Sequence, residues 1–394
     1  MSSATSTARA VWPYAALSFA YFAGLGLFNP YAPLWLETLG WGPLAIGTLA
    51  SLQAWTRIVS PYAWAWLGDH TGRRTDLIRL GAALCLLASL ALTFQHDSVT
   101  SILVCALALF LANSAVGPLS EAALSHALTT PQGFDAARYG RTRLWGSVGF
   151  IAAVAGFGVL LQRGGYDSFP EWVVVMSVAL LVASVSLPGG RETHRPGEAA
   201  PAIGPLLRQP RVRWFFATVA TTVLAHSVLY AFFSLYLNSL GLGSQVVGLL
   251  WALGVIAEVV FFATQGRFFH RRPAMWWLQL AAWVAAVRFA LMGAVPWALW
   301  LLVPLQVLHA FTFGAQHAAS IALVSTLFPG RLRSRGQALY SVLGYGLPGV
   351  LGGLGAGWLI ERSGYLSAFL AASLCALASV WCALQVDRHA QNGA

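Results

Sequence analysis

The chain has no lysine, only 13 acidic residues and only four cysteines among its 394 residues, and 9% of it is charged. Each shortage excludes something. A soluble globular domain carries roughly a quarter of its residues charged, so this is not one. Cys85, Cys105, Cys375 and Cys382 fall inside apolar runs without metal-ligand spacing. They read as reduced packing residues, and neither a metal site nor a cofactor is expected. The sequence lacks the paired aspartates that would hold a metal and a nucleophile–base pair near a membrane face, so an enzyme is not expected. It has no Walker sequence, so ATP is not the expected driving force. The tails are too short to hold the soluble output domain that a receptor would need.

What remains is apolar. The composition is 58% hydrophobic and the mean hydropathy is +0.67, the signature of an integral membrane protein. A net charge of +10 would suggest nucleic acid in a soluble chain. Here the charges sit in short connectors, so the expected partner is the lipid bilayer and not nucleic acid. Apolar runs fall at 13–36, 43–66, 77–95, 99–124, 142–162, 171–187, 213–238, 244–265, 274–294, 297–326, 337–360 and 365–386. Most approach the ~20 residues that cross a bilayer core. The expected fold is all-α, with twelve transmembrane helices in two six-helix bundles, 1–187 and 213–394, joined by a polar linker at 188–212. MSSATSTARAVWPY offers no small-residue cleavage site after its apolar stretch, so the first helix is expected to be retained. Of the 23 arginines, 19 lie at the chain ends and on one set of alternating connectors, against Arg163 and Arg362 on the other set. That bias places both termini in the cytoplasm.

The two bundles are related by sequence. Leu34–Leu52 lays over Leu235–Leu253 without a gap at an offset of 201, with eight of 19 positions identical. The same offset sets Arg57 against Glu258, opposite charges at matching intramembrane positions of the two halves. A lone charge in such a run costs a few kcal/mol unless it is paired or neutralised, so each needs a reason to be there.

Two six-helix halves related by an axis along the membrane normal is the plan of the major facilitator superfamily, with a site at the midplane. Gly68-Asp69-His70-Thr71-Gly72-Arg73-Arg74, after the second helix, resembles that superfamily's loop signature. In that reading Asp69, Gly72, Arg73 and Arg74 form a conformational switch, with Asp69 meeting a helix end or an arginine across the seam between halves. Tyr139–Ser147, Trp251–Phe262 and Leu305–Ala318 are similar to the phenylpropionate permease branch, itself distantly similar to lactose permease. The resemblance implies proton-coupled uptake of a small carboxylic acid by a monomer in the bacterial inner membrane. The Asp-Gly-Arg-Arg pattern departs from that branch toward the general superfamily, which loosens the substrate more than the fold.

The candidate pathway residues are Arg57, Glu121, His226, Tyr230, Glu258, Arg288, His309 and His317. Trp251, Gly254, Glu258, Phe261 and Gln265 share one helix face, as do Gln53, Arg57, Ser60, Pro61 and Trp64 on the second helix. Glu258 is either a structural ion pair or a proton carrier, and intramembrane ionisable residues mark pathways more often than staples. Glu121 either reaches headgroups or pairs with Arg141 or Arg143, with Arg143 read by preference as a surface residue. Arg288 lies deep in the ninth helix. His309, Phe313, Gln316 and Ser320 form a stripe on the tenth, with His317 at its edge, and His226 and Tyr230 face inward from the seventh. Arg57 offers a fork matched to a carboxylate. Together these suit symport of a proton with a small aromatic acid, and the resemblance implies a monocarboxylate such as 3-phenylpropionate. The same parts suit a sugar, oligosaccharide or nucleoside symporter, and an efflux permease for lipophilic drugs is a further alternative.

Overall fold

The computed structural model describes residues 2–95, 98–130, 133–189 and 203–391. The apolar runs become helices because a spanning segment must satisfy its backbone hydrogen bonds internally. They are α1 (Ser2–Thr38), α2 (Pro43–Thr71), α3 (Arg74–Leu92), α4 (Val99–Ala127), α5 (Ala136–Gly164) and α6 (Phe169–Val185), followed by a one-turn α7 (Gly204–Arg208). Then come α8 (Pro210–Ser239), α9 (Ser244–Thr264) and α10 (Ala274–Ala294). The tenth run is split into α11 (Leu302–Val307), a π-helical turn at Ala310–Ala315 and α12 (Gln316–Leu327). After α13 (Arg333–Leu339) a second π turn, Tyr340–Gly346, leads into α14 (Leu347–Gln391). Gly364, with φ at 75°, kinks α14, so its parts 347–363 and 365–391 correspond to the last two expected spans. Most of the expected linker, 190–202, lies outside the described residues.

The helix ends differ from expectation where capping decides them. The Asp135 carboxylate accepts the Arg138 backbone N–H at 2.9 Å, starting α5 six residues before the apolar run. α2 runs on to Thr71 and stops where Gly72 takes φ +65°, a conformation open to glycine. Gly68 to Thr71 are therefore helical, and the signature's acid is on a helix, not in a loop. A two-residue antiparallel ladder, β1 (Thr129–Thr130) and β2 (Gly133–Phe134), joins α4 to α5 and was not expected. Nine described helical stretches are long and apolar enough to cross a membrane, the last of them holding both parts of α14. α6 is shorter, at 17 residues.

The chain forms two compact units. One comprises 1–41, 56–196 and 242–249; the other comprises 42–55, 197–241 and 250–394. In the first, α1 packs on α5, α6 and α4, and α3 on α4 and α6. In the second, α14 packs on α8 and α10, and α10 on α12. The helices α2 and α9 are split in the same way, each giving its first turns to the opposite unit from its remainder. Those first turns make matched contacts. A Cβ on Gly47 would strike the Gly353 carbonyl oxygen, and a Cβ on Gly248 would strike that of Val154. Gly47 and Gly248 are equivalent at the repeat offset of 201, so the duplication seen in the sequence is also a duplication of packing.

Candidate functional site

The densest buried polar cluster among the described residues lies in the second unit. Arg288 on α10 is fully buried, with a relative exposure of 0%. Its guanidinium donates to three neutral groups: Gln306 Oε1 at 3.1 Å, Thr312 Oγ1 at 3.0 Å and His309 Nδ1 at 3.3 Å. Arginine has donors only, so His309 Nδ1 must accept and its proton must sit on Nε2. Nε2 faces Glu258 Oε2 at 3.8 Å, beyond hydrogen-bond length. The cluster thus carries a cation and a carboxylate held apart by one neutral imidazole. Charging His309 would set a second N–H against the guanidinium, with like charges in contact.

The walls come from α8 and α9. His226 Nδ1 donates to the Thr222 carbonyl at 2.8 Å, and its ring lies 6.4 Å from that of His309. The Tyr230 ring meets His309 edge-on at 6.2 Å. On α9, Gly254 leaves room beside Gln306 and His309, Trp251 donates to Ser234 at 3.1 Å, and Phe261 packs on Phe311. Of the expected α9 face, Gly254, Glu258 and Phe261 turn to the tenth span, whereas Trp251 bonds back to α8.

That span corrects one expectation. His309, Phe313 and His317 stack in parallel, with centroids 5.5 Å and 5.9 Å apart and rings tilted by 11° and 7°. A π turn is wider than the 3.6-residue period, so residues four apart stay in line. His317 belongs on the stripe, not at its edge. A second network continues from it: Tyr340 hydroxyl to His317 Nδ1 at 3.3 Å, Tyr340 to Tyr345 at 3.1 Å, Tyr345 to Gln316 at 3.3 Å, and Gln316 to Ser320 at 3.1 Å. Tyr340 and Tyr345 come from the second π turn.

The first unit holds a smaller set. Arg143 Nε donates to Glu121 Oε1 at 3.1 Å while its guanidinium lies 4.2 Å over the Phe22 ring. Of the two partners open to Glu121, the structure selects Arg143, the arginine that sequence reasoning had left at the surface. Arg57 occupies an exposed position on α2 within electrostatic reach of Tyr21. Its face is otherwise turned to α4: Ser60 bonds to Ser114, and Trp64 donates to the Leu111 carbonyl at 3.0 Å. Asp69 accepts from Arg74 Nη2 at 2.7 Å, an ion pair inside the signature itself, and Arg73 lies 3.6 Å from Asp76. Arg57 and Glu258, matched by the repeat, belong to different units.

Gln306 and Thr312 were missed as site residues. The available signal was their spacing of three on either side of His309, and neutral side chains in an apolar run do not attract attention as a buried charge does.

Residues 11–371 match the model of the MFS_1 like family. The chain belongs to this family, within the major facilitator superfamily. The probable 3-phenylpropionic acid transporter of Escherichia coli K12 is 30% identical over 88% of this chain and 90% of its own length. The maltose permease of Geobacillus stearothermophilus is 29% identical over 92% and 91%. A crystal structure of a variant of the nucleoside transporter NupG superposes with a TM-score of 0.81 at 17% identity, over 96% of this chain and 99% of that one. The chain is an integral membrane transporter of the major facilitator fold with a small-molecule substrate, and not an enzyme.

Proposed function

We propose that this facilitator couples a proton to the uptake of a small aromatic monocarboxylate of the 3-phenylpropionate kind. The observation that carries the reading is the Arg288–His309–Glu258 chain, in which only a neutral imidazole separates a fully buried cation from a carboxylate. With Glu258 ionised the cluster is neutral overall. When Glu258 takes a proton, Arg288 is left with an unbalanced charge in a desolvated setting, and an anion entering beside it restores neutrality. Proton and acid then favour each other's binding, which is the thermodynamic requirement for coupling. Glu258, and not His309, carries the proton in this scheme, because the Arg288 hydrogen bond keeps Nδ1 an acceptor. The likeness to a probable 3-phenylpropionic acid transporter supports the choice of acid. We further propose a monomer in the bacterial inner membrane with both termini in the cytoplasm. Within its proposed halves, 1–187 and 213–394, we assign Arg57, Glu121, His226, Tyr230 and His317 to the transport route and Asp69, Gly72, Arg73 and Arg74 to the switch.

A sugar is the second reading. It is favoured by the Glu121–Arg143 pair beside Phe22, a carboxylate–guanidinium set with an aromatic face, and by the likeness to a maltose permease. The deciding experiment is uptake into proteoliposomes. Labelled 3-phenylpropionate should accumulate against its gradient when the outside is acidified and should only equilibrate without a pH difference. Accumulation of maltose or a nucleoside, with none of the acid, would replace this reading with the alternative.

A further inference from the structure

Three buried polar atoms of the Arg288 cluster have no protein partner, Arg288 Nε, Gln306 Nε2 and His226 Nε2; a fourth in the second unit, Arg211 Nε, lies at the start of α8. The first two are tied together. Gln306 accepts from Arg288 Nη2 through Oε1, which turns its amide nitrogen away from the guanidinium. Nε shares a guanidinium edge with Nη2, so one unpartnered donor flanks each end of the Nη2–Oε1 hydrogen bond. The third atom differs in kind. His226 Nδ1 donates to Thr222, so Nε2 is an acceptor and has nothing to offer an anion.

Unpartnered buried donors cost about 1–3 kcal/mol each, so a native site retains them for a reason. Gln306 is 4% exposed and Arg288 is 0% exposed, and every hydrogen bond that Arg288 makes goes to a neutral group. Once Glu258 is protonated, two unpartnered donors beside an uncompensated guanidinium are the complement of a carboxylate. We propose that Arg288 Nε and Gln306 Nε2 together form the subsite that grips the substrate's carboxylate. The inference rests on the symport reading for the identity of the acid and for the protonated state of Glu258. Gln306 is then a specificity residue. Its Oε1 fixes the guanidinium and its Nε2 supplies the second donor, so an uncharged analogue loses both contacts at once.

The test has one arm that needs no ligand. Gln306→Glu, made in the Glu258→Gln background that mimics the protonated state, sets a carboxylate against Arg288 Nη2 beside the subsite, and the thermal unfolding of the purified full-length protein in detergent is compared with that of Glu258→Gln alone. The expected result is a rise of about 3–6 °C, absent when Arg288→Gln is added. If Arg288 needs no anion even with Glu258 neutralised, the added buried carboxylate only costs desolvation and the midpoint falls. A fall, no change, failure to fold, or a rise that persists without Arg288 overturns the subsite. The second arm measures binding of 3-phenylpropionate and of 3-phenylpropanamide to wild type and to Gln306→Met. The acid should weaken about tenfold, one lost charge-assisted contact, while the amide is unchanged. Equal losses for both also overturn it. Wild type that binds neither compound removes the 3-phenylpropionate reading and leaves the subsite to be judged by the unfolding arm alone.

Discussion

At the scale of single residues, the site separates groups that hold from groups that titrate. Arg288 is a fixed charge, and His309 is pinned to one tautomer by a donor it cannot displace. Glu258 is the ionisable member without such a constraint from Arg288 and is partly exposed, with 22% of its side chain accessible. It is therefore the group expected to exchange the coupled proton. Glu258→Gln mimics the protonated state. That variant should exchange labelled substrate across a proteoliposome membrane at a rate near wild type but fail to concentrate it when a pH gradient is imposed. Uphill accumulation by the Gln variant would move the proton to another carrier. The charged members of this cluster were legible in the sequence, because an ionisable residue in an apolar helix stands out by its cost. Gln306 and Thr312 were not, since what makes them functional is the arginine they face, and that comes from another helix.

At the scale of elements, the π turns and the helix starts carry information that periodicity does not. A 3.6-residue period places His317 off the His309 stripe, and the wider turn at Ala310–Ala315 brings it back. The helix starts show a second matched pair. The first turn of α2 is capped from α14, where Glu361 Oε2 accepts the Leu44 N–H at 2.9 Å. At the repeat-equivalent place on α9, Gln162 Oε1 from α5 accepts the Gln245 N–H at 3.5 Å. One cap is a carboxylate at a helix N-terminus, favoured by the helix dipole, and the other is a neutral amide at a longer distance. Gln162→Glu should make the second cap resemble the first. A carboxylate there contributes about 0.3–1 kcal/mol, so in a chain of this length the unfolding midpoint should rise by roughly 1 °C or less. Glu361→Gln should lower it by a similar amount. A fall in Gln162→Glu would mean that the α9 cap is not limited by charge.

At the scale of the whole molecule, duplication explains the scaffold and divergence explains the chemistry. The offset of 201 that matches Gly47 with Gly248, carried on, sets Leu87 against Arg288 and Ala108 against His309, so neither of these two has a polar residue at its matched position. On α2, which the repeat matches with α9 and not with α10, the first unit carries Arg57, which is exposed where Arg288 is fully buried. The difference in solvation assigns them different parts. A desolvated charge-assisted contact is worth about 2–4 kcal/mol, or roughly 30- to 1,000-fold in affinity, whereas an exposed charge pair contributes about 0–1 kcal/mol and is screened by salt. Arg57 is then expected to draw the acid in and Arg288 to hold it. Arg57→Gln should slow uptake most at low ionic strength while leaving the preference for 3-phenylpropionate over its amide within about threefold of wild type. Arg288→Gln should abolish that preference at any salt concentration. Measuring both ligands on both variants at two ionic strengths decides the matter. If Arg57→Gln loses the preference and Arg288→Gln keeps it, the carboxylate is held in the first unit, and the buried arginine is structural.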